Sequence, residues 1–324
     1  MKKRYITFAW IIALIAMTFA SCDDFEGEQQ MPSFIKIEGF NLVANPNTSF
    51  GFPQDSSFLT SDITEIALYA SDGKEQKTLG IYTLGEDGTL NIPLLYKGKT
   101  YLEIRPVVRL NGMNATRTYY PFYSSILDTL DLKEGEVTII PKRDISYTDN
   151  TKIEKRFFFE DTFNPFENAS NIDSSAENHF VLISSSDSVR FGNKCGGFYS
   201  TSSKDNFKVI SKDSISSSTR SGVMVLELDY CANIPFEVGI YGKASSSSQS
   251  YYISSVRMSA NFKDSYKPND ARNWQKMYIT LGKVWENINH NAFQLWFMPY
   301  NSANNPKGFV HIDNIKLVTY KGGK

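Results

Sequence analysis

Cysteine is scarce in this chain, and its scarcity excludes several kinds of site. The 324 residues contain three cysteines, Cys22, Cys195 and Cys231. No two of them have the CxxC spacing of zinc ribbons or dithiol redox centres, so neither kind of site is supported. Cys195 and Cys231 could form one disulfide in an oxidising envelope compartment, or they could be two buried free thiols. The sequence favours neither alternative.

Catalytic signatures are missing as well. The three histidines, His179, His290 and His311, are far apart, and no HExxH pair occurs. There is no Gly-x-Ser-x-Gly elbow and no phosphate-binding loop, and the acidic residues are scattered rather than paired on one strand. We therefore expect a protein that is not an enzyme and requires no cofactor. A glycoside hydrolase or other hydrolase is the least favoured alternative.

Neither sign of charge dominates the chain. Residues 1–21 hold three basic residues and no acidic one, so the rest has 31 Lys and Arg against 35 Asp and Glu, a net charge of −4. Nothing supplies the basic stripe that nucleic-acid binding requires. Long helical stretches rich in Leu, Ala, Glu and Lys are absent, whereas 23 Phe and 18 Tyr are present. This balance is typical of antiparallel sheets joined by polar loops.

The longest hydrophobic run, residues 6–19, follows three basic residues at the N-terminus. It is too short to span a bilayer comfortably, which is typical of a signal peptide. Residues 19–22, Phe-Ala-Ser-Cys, resemble the lipobox of bacterial lipoproteins, although that family prefers Leu where Phe19 stands. The resemblance implies a signal peptide over residues 1–21 and a lipid-modified (palmitate-bearing) Cys22. The alternative is an ordinary secretory signal that is cleaved nearby.

An acidic segment follows the cysteine directly, with Asp23, Asp24 and Glu26 behind Cys22. It resembles the surface-export signal of Bacteroidota lipoproteins. The resemblance implies an outer-membrane protein, lipid-anchored and facing the cell exterior, with residues 22–33 as an acidic tether. The alternative is a solvated acidic leash that carries no export signal.

Strand-like alternation of apolar and polar residues recurs in two series. About seven short strands over residues 34–146 predict a small β-sandwich of the Ig-like kind. Within it, the dipeptide Asn111-Gly112 predicts a hairpin turn. Residues 147–155 are polar and predict a linker, and about nine further strands over residues 156–324 predict a jelly roll. The predicted fold class is all-β, a small N-terminal β-sandwich followed by a jelly-roll β-sandwich.

Three stretches of the second domain, residues 157–163, 274–281 and 310–317, resemble strands of galactose-binding-like jelly rolls of the carbohydrate-binding-module type. In such domains a structural calcium ion often bridges the first and last strands. The resemblance places Glu160, Asp161 and Asp313 at that ion, and carboxylate oxygens are ligands that calcium prefers. The alternative is that the first two acids end a strand and face water, while Asp313 caps a turn.

The first domain resembles an uncharacterised group of Bacteroidota lipoproteins, through the series Ile-Arg-Pro at 104–106, Asn-Gly at 111–112, Thr-Arg at 116–117 and Tyr-Pro-Phe-Tyr at 120–123. The structural interpretation is that the prolines lie at strand edges and the arginines pair across strands. The alternative is a docking surface, because Arg and Tyr anchor protein interfaces. That surface would consist of Arg105, Arg117, Tyr120 and Tyr123.

Aromatic residues of the second domain are candidates for stacking on sugar rings. Trp285, Tyr251 and Tyr252 are the candidate glycan or partner contacts. Trp274 and Trp296 lie in strong strand patterns and are predicted to be core. Three tripeptides that resemble the O-glycosylation sequon of Bacteroidota add candidate modification sites at Thr129, Ser188 and Ser214.

Two functions follow from these features. The favoured one is a non-catalytic accessory subunit that docks on an outer-membrane β-barrel complex of an assembly, secretion or uptake machine. The alternative is a glycan-binding surface lipoprotein that captures polysaccharide.

Overall fold

The computed structural model describes residues 31–45, 63, 65–112, 119–120, 123–160, 164–168, 180–185, 188–204, 207–216, 223–243, 250–265, 273–281 and 292–320. Every regular element in these ranges is a β-strand, which confirms the all-β prediction. A search of the same ranges for a helix long and apolar enough to cross a bilayer finds none.

Ten strands form the first module: β1 (Ser33–Ile37), β2 (Phe40–Leu42), β3 (Glu65–Ser71), β4 (Gln76–Thr83), β5 (Leu90–Leu94), β6 (Gly98–Gly112), β7 (Tyr119–Tyr120), β8 (Ile126–Leu132), β9 (Val137–Ile140) and β10 (Arg143–Ile145). In β1, Ile35 and Ile37 are buried while Lys36 between them is partly exposed, as the alternation in the sequence predicts. One sheet has the order β5-β1-β9, and β2 pairs with β10. These strands pack with β3, β4, β6 and β8 around one hydrophobic cluster, so the module is a β-sandwich.

Twelve strands form the second module: β11 (Thr151–Phe157), β12 (Phe166–Asn168), β13 (Phe180–Ile183), β14 (Cys195–Ser200), β15 (Val209–Ser211), β16 (Ile215–Ser216), β17 (Val223–Ala232), β18 (Phe236–Lys243), β19 (Ser250–Met258), β20 (Gln275–Thr280), β21 (Ala292–Pro299) and β22 (Gly308–Tyr320). Six of them form one sheet in the order β12-β15-β21-β18-β19, with β16 beside β21. This six-stranded sheet packs against the sheet that contains β14, β17, β20 and β22 over a second hydrophobic cluster. The predicted jelly-roll β-sandwich is thus present.

A parallel pair of strands joins the modules. Residues 110–112 at the end of β6 pair with Tyr278–Thr280 of β20, so strands of both modules belong to one eleven-stranded sheet. The hairpin turn predicted at Asn111-Gly112 is therefore wrong, because both residues lie inside β6. β6 pairs in antiparallel register with β7, with Val108 opposite Tyr120 and Arg109 opposite Tyr119.

The segment expected to be a linker is structured. Residues 147–155 begin with Tyr147, which bridges to Tyr123, and continue into β11. β11 pairs in antiparallel register with β22, from Thr151 opposite Tyr320 to Phe157 opposite Ile315. Polar residues mislead here because the solvent-facing positions of a strand at a sheet edge are polar as well. The domain boundaries themselves stay a prediction.

Candidate functional site

The most distinctive surface is the outer face of the six-stranded sheet. Successive side chains of a strand point to opposite faces, so buried Phe236, Val238 and Ile240 of β18 direct Gly239 and Tyr241 outward. The register sets Gly239 opposite Trp296 of β21 and Ser255 of β19. It also sets Tyr241 opposite Tyr252 of β19. We call the outward cluster of Trp296, Tyr241, Tyr252 and Lys208 the aromatic face.

Trp296 lies at the centre of the aromatic face. The tryptophan is 0% exposed, which confirms its predicted burial, and Trp274 is buried too. The indole of Trp296 lies directly over Gly239, where a Cβ atom would overlap the ring. Its Nε1–H is buried and has no hydrogen-bond acceptor among the described residues. Such a donor is uncommon in folded proteins, because an unsatisfied buried N–H costs free energy.

Lys208 supplies a positive charge to the aromatic face. Its Nζ lies 4.6 Å from the centroid of the Trp296 ring and 5.6 Å from that of Tyr241. The same atom donates a hydrogen bond of 3.1 Å to the Tyr241 hydroxyl. The rings of Tyr241 and Trp296 are 5.7 Å apart, so the ammonium group lies against two adjacent aromatic rings.

Tyr252 is the exposed member of the aromatic face. Its side chain is 58% exposed, and its ring centroid lies 6.1 Å from that of Trp296. The Tyr252 hydroxyl is 3.0 Å from Ser255 Oγ, which fixes one end of the ring. Trp296 therefore backs a tyrosine ring that is open to solvent.

A second stack extends the same sheet face. The guanidinium of Arg257 lies 3.8 Å from the ring centroid of Tyr300, which is itself exposed. Arg257 also donates to Glu237 at 3.4 Å from the neighbouring strand, so this cation has a carboxylate partner. The sheet face thus carries two aromatic–cation stacks. The cation of one, Arg257, pairs with a carboxylate, whereas the cation of the other, Lys208, bonds to a neutral hydroxyl.

The sequence identified only part of this surface. Tyr252 is exposed as expected for a contact residue. Trp285 and the side chain of Tyr251 lie outside the described residues. The sequence pattern alone did not identify Lys208, Tyr241 or Arg257 as site residues, because only the pairing of distant strands brings them to one face. The signal that could have found Tyr241 is its place in an alternating strand, two residues from Gly239.

The predicted calcium ligands are partly described. Glu160 accepts backbone N–H groups of Asn193 (2.7 Å) and Lys194 (3.4 Å), and Asp313 accepts that of Phe191 (3.1 Å). Both carboxylates line one small cavity and face the same loop. Asp161 lies outside the described residues, and no group of three or more His, Cys, Asp or Glu side chains suited to a metal occurs within them.

The electrostatics of Asp313 nevertheless suit a cation. Burial raises the pKa of this carboxyl to about 8, and the charges of Asp229 and Glu160 act in the same direction. Two backbone N–H bonds, from Phe191 and Asn314, only partly offset the effect of burial. A buried carboxylate needs either a proton or a positive partner. Glu160 and Asp313 are two oxygen donors of the kind that calcium prefers.

The two remaining cysteines are both free and buried, which is the second of the two alternatives. Cys195 lies in β14 and Cys231 in β17, and β22 runs between these strands. Two strand spacings amount to about 9–10 Å, whereas a disulfide needs Cα atoms within about 7 Å. The structure therefore excludes the disulfide alternative and agrees with two buried free thiols.

The predicted docking residues of the first module divide into two kinds. Arg105 makes a bidentate pair with Glu103 (2.7 and 3.0 Å) and stacks on Tyr69, so it is held within its own sheet face. Tyr123 is buried, and its hydroxyl lies 2.9 Å from the Tyr278 hydroxyl at the junction of the modules. Its assignment to a docking surface is therefore wrong. Arg117 and the side chain of Tyr120 lie outside the described residues.

The candidate modification sites differ in solvent exposure, and some lie outside the described residues. Thr129 in β8 and Ser214 are exposed, and Ser188 is partly buried. Cys22, Asp23, Asp24 and Glu26 lie outside the described residues, so lipid attachment and surface export stay predictions.

Comparison with known proteins gives only structural likenesses. No family model matches the chain, and no curated protein does. A family 11 carbohydrate-binding module from Clostridium thermocellum, solved with a β-1,3-1,4-mixed-linked tetrasaccharide, has 13% identity and a TM-score of 0.35 over 52% of this chain and 97% of its own. A tandem of two CBM22 domains from Paenibacillus barcinonensis Xyn10C has 9% identity and a TM-score of 0.33 over 81% and 75%. These values are too low to assign a ligand or a family.

Proposed function

We propose that the protein is a non-catalytic glycan-binding protein of the bacterial envelope, and that the aromatic face is its binding surface. The observation that carries the proposal is the exposed Tyr252 ring, which lies against Trp296, together with the Lys208 ammonium group and the Tyr241 ring, which lie against the same indole.

The chemistry of a sugar ring matches this arrangement. A pyranose has an apolar face of C–H groups and a rim of hydroxyl groups. Tyrosine offers a flat apolar ring with a polar tip, so it binds both parts at once. The indole below Tyr252 limits the freedom of the ring, which reduces the entropy lost on binding.

The binding test uses the full chain in detergent on a glycan array. We expect Tyr252→Ala to weaken binding of the best glycan by about tenfold, or ~1.4 kcal/mol. Tyr101→Ala is the matched control, because Tyr101 is an exposed tyrosine on a strand of the first module. Failure to bind any glycan, or equal binding by the two variants, contradicts the proposal.

The envelope location rests on the N-terminal segment. Lipid attachment at Cys22 and the acidic Asp23, Asp24 and Glu26 support display on the outer membrane, facing the exterior. Metabolic labelling with a palmitate analogue should mark the wild-type chain and not Cys22→Ser. Protease added to intact cells should degrade the wild-type protein, and protection from the protease would contradict surface display.

Docking on an outer-membrane protein complex is a second candidate, favoured by one observation. Val137 and Ile139 of β9 are 58% and 56% exposed, and β9 is the edge of its sheet. Apolar side chains on an edge strand are a liability unless something covers them. A pull-down from native detergent extract should then lose its partner when Val137 and Ile139 are both changed to Lys. Recovery of the wild-type protein alone would argue against docking.

A calcium ion would serve structure within either function. Glu160 and Asp313 would hold it, and its charge would compensate the buried carboxylate of Asp313 and its neighbour Glu160.

A further inference from the structure

We propose that the aromatic face selects acidic saccharides, with the sugar carboxylate paired to Lys208. The inference rests on the proposed glycan-binding function and names the class of ligand that this surface prefers. It follows from two hydrogen-bond donors, Lys208 Nζ and Trp296 Nε1, that occur together without a matching acceptor of negative charge.

The first donor is the ammonium group of Lys208. It is partly buried, it lies against the rings of Trp296 and Tyr241, and its hydrogen bond goes to a neutral hydroxyl. No Asp or Glu of the described residues lies within ion-pair distance of it. Lys155 of the same module, by contrast, lies 2.7 Å from Asp213. A partly desolvated cation gains most from a carboxylate that enters the same environment.

The second donor is the indole N–H of Trp296. This nitrogen is fully buried and meets no acceptor among the described residues, although the adjoining aromatic face has polar groups. The Tyr252 hydroxyl is already bonded to Ser255, and that of Tyr241 accepts from Lys208. Movement of the flexible lysine stem could admit a ligand oxygen to the region above the ring. Two donors then meet an acceptor that carries negative charge.

The other charged groups on this sheet face do not oppose the inference. Met298, Glu237 and Arg257 occupy one row across β21, β18 and β19. Lys208 directly precedes Val209 of β15, which pairs with Phe297 of β21. β18, which carries Glu237, is two strand spacings or about 9–10 Å from β15, and Glu237 is bonded to Arg257. The Glu237–Arg257 pair is neutral as a unit. The exposed Glu167 of β12 lies opposite Ile210 of β15, and it makes no ion pair with Lys208.

The experiment compares two α-1,4-linked probes that differ only at C6 of each sugar, tetragalacturonate and α-1,4-galactotetraose, by titration calorimetry with the full chain at low salt. We expect the acidic probe to bind about tenfold more tightly, and salt to reduce the difference. Lys208→Gln should abolish the preference, and Lys208→Arg should keep it. Lys99→Gln is the matched control, because Lys99 also lies over a tyrosine ring, at 5.3 Å from the centroid of Tyr101.

The outcomes separate this inference from the proposed function. Equal binding of the two probes, or a preference that survives Lys208→Gln, overturns the acidic preference. If neutral glycans bind and Tyr252→Ala weakens them, the proposed function stands without it. If no glycan binds at all, both proposals fail. Unchanged thermal unfolding of Lys208→Gln excludes misfolding as the cause of any loss.

Discussion

The carboxylate of Glu227 in the second module accepts hydrogen bonds from the hydroxyl of Tyr147, at the end of the first, at 2.7 Å to each oxygen. Lys276 Nζ at 2.6 Å and Lys316 Nζ at 3.0 Å complete its surroundings, and all three charged side chains are buried. Two cations thus share one carboxylate at the junction of the modules. Burial lowers the pKa of Lys316 to about 8, whereas Glu227 raises the pKa of Lys276 in spite of its burial.

Removal of the Glu227 charge should destabilise the protein strongly. Glu227→Gln removes the carboxylate that both buried ammonium groups contact and leaves Asp229 as a more remote anion, and loss of one partner of a buried ion pair typically costs ~3–5 kcal/mol. Chemical denaturation measures the loss of unfolding free energy. Glu136→Gln is the control, because the Lys133–Glu136 pair is exposed and such pairs contribute about 0–1 kcal/mol. A loss for Glu227→Gln that is no larger than for the control would contradict the assignment.

The second module should not fold stably by itself. A fragment of residues 156–324 lacks Tyr147, which bonds to Glu227, and most of β11, which pairs with β22. It also lacks the first-module side chains that cover Val225 and Val318. Circular dichroism on heating should show no cooperative transition for this fragment. The fragment 31–324 should unfold as the whole chain does. Cooperative unfolding of 156–324 at the temperature of the longer fragment would disprove the coupling.

Local patterns in the sequence were enough to predict most of the strands. The alternation of Phe34 to Ile37 predicts β1, and the apolar run that contains Trp296 predicts a buried strand. The joining of the modules had no such signature, because parallel pairing of β6 with β20 depends on residues far apart in the chain. Asn111-Gly112 is a strong turn signal locally, and the long-range pairing overrode it.

The candidate site shows the same limit. Tyr252 could be proposed from the sequence as an exposed aromatic residue. Its environment could not, since Lys208 and Tyr241 meet only through the registers of β15, β18 and β21. The sequence could not decide between a disulfide and two free thiols for a related reason, because sequence spacing does not reveal that β22 separates Cys195 from Cys231.

Gly239 should be essential to the geometry of the aromatic face. In Gly239→Ala the new methyl group would overlap the Trp296 indole, so the ring must move away from the sheet. Overpacking of this kind typically costs ~1–3 kcal/mol. Tryptophan fluorescence should shift to the red, and glycan binding should weaken. Thr83→Ala, an exposed change in β4, should alter stability by less than ~0.5 kcal/mol. Unchanged fluorescence and binding for Gly239→Ala would disprove the close packing.

Asp313 should make the protein less stable as the pH rises in the absence of a cation. Its folded pKa is about 8 and its ordinary value is 3.8. Between these values the folded state holds a proton that the unfolded state has lost, so the free energy of unfolding falls with rising pH, by at most ~1.4 kcal/mol per pH unit. Asp313→Asn should remove this slope and be more stable than the wild type at neutral pH.

His311 gives the free energy of unfolding a pH dependence of the opposite sign. This contribution is the same in the wild type and in Asp313→Asn, so it cancels when the two are compared. Burial lowers the pKa of His311 to about 4 from 6.5, so its contribution to stability is lost as the pH falls through that range. The difference between the wild type and Asp313→Asn therefore isolates the carboxyl group. Asp213→Asn is the control for a surface carboxylate, since Asp213 is exposed.

Calcium should reverse the order of the two proteins. A cation at Glu160 and Asp313 binds the deprotonated carboxylate, so millimolar calcium at about pH 8 should raise the melting temperature of the wild type by mass action. Asp313→Asn keeps the shape of the side chain but not its charge, so its melting temperature should change little. An equal rise in both proteins would mean that calcium acts elsewhere. No rise in either would leave protonation as the only way in which the fold accommodates this buried acid.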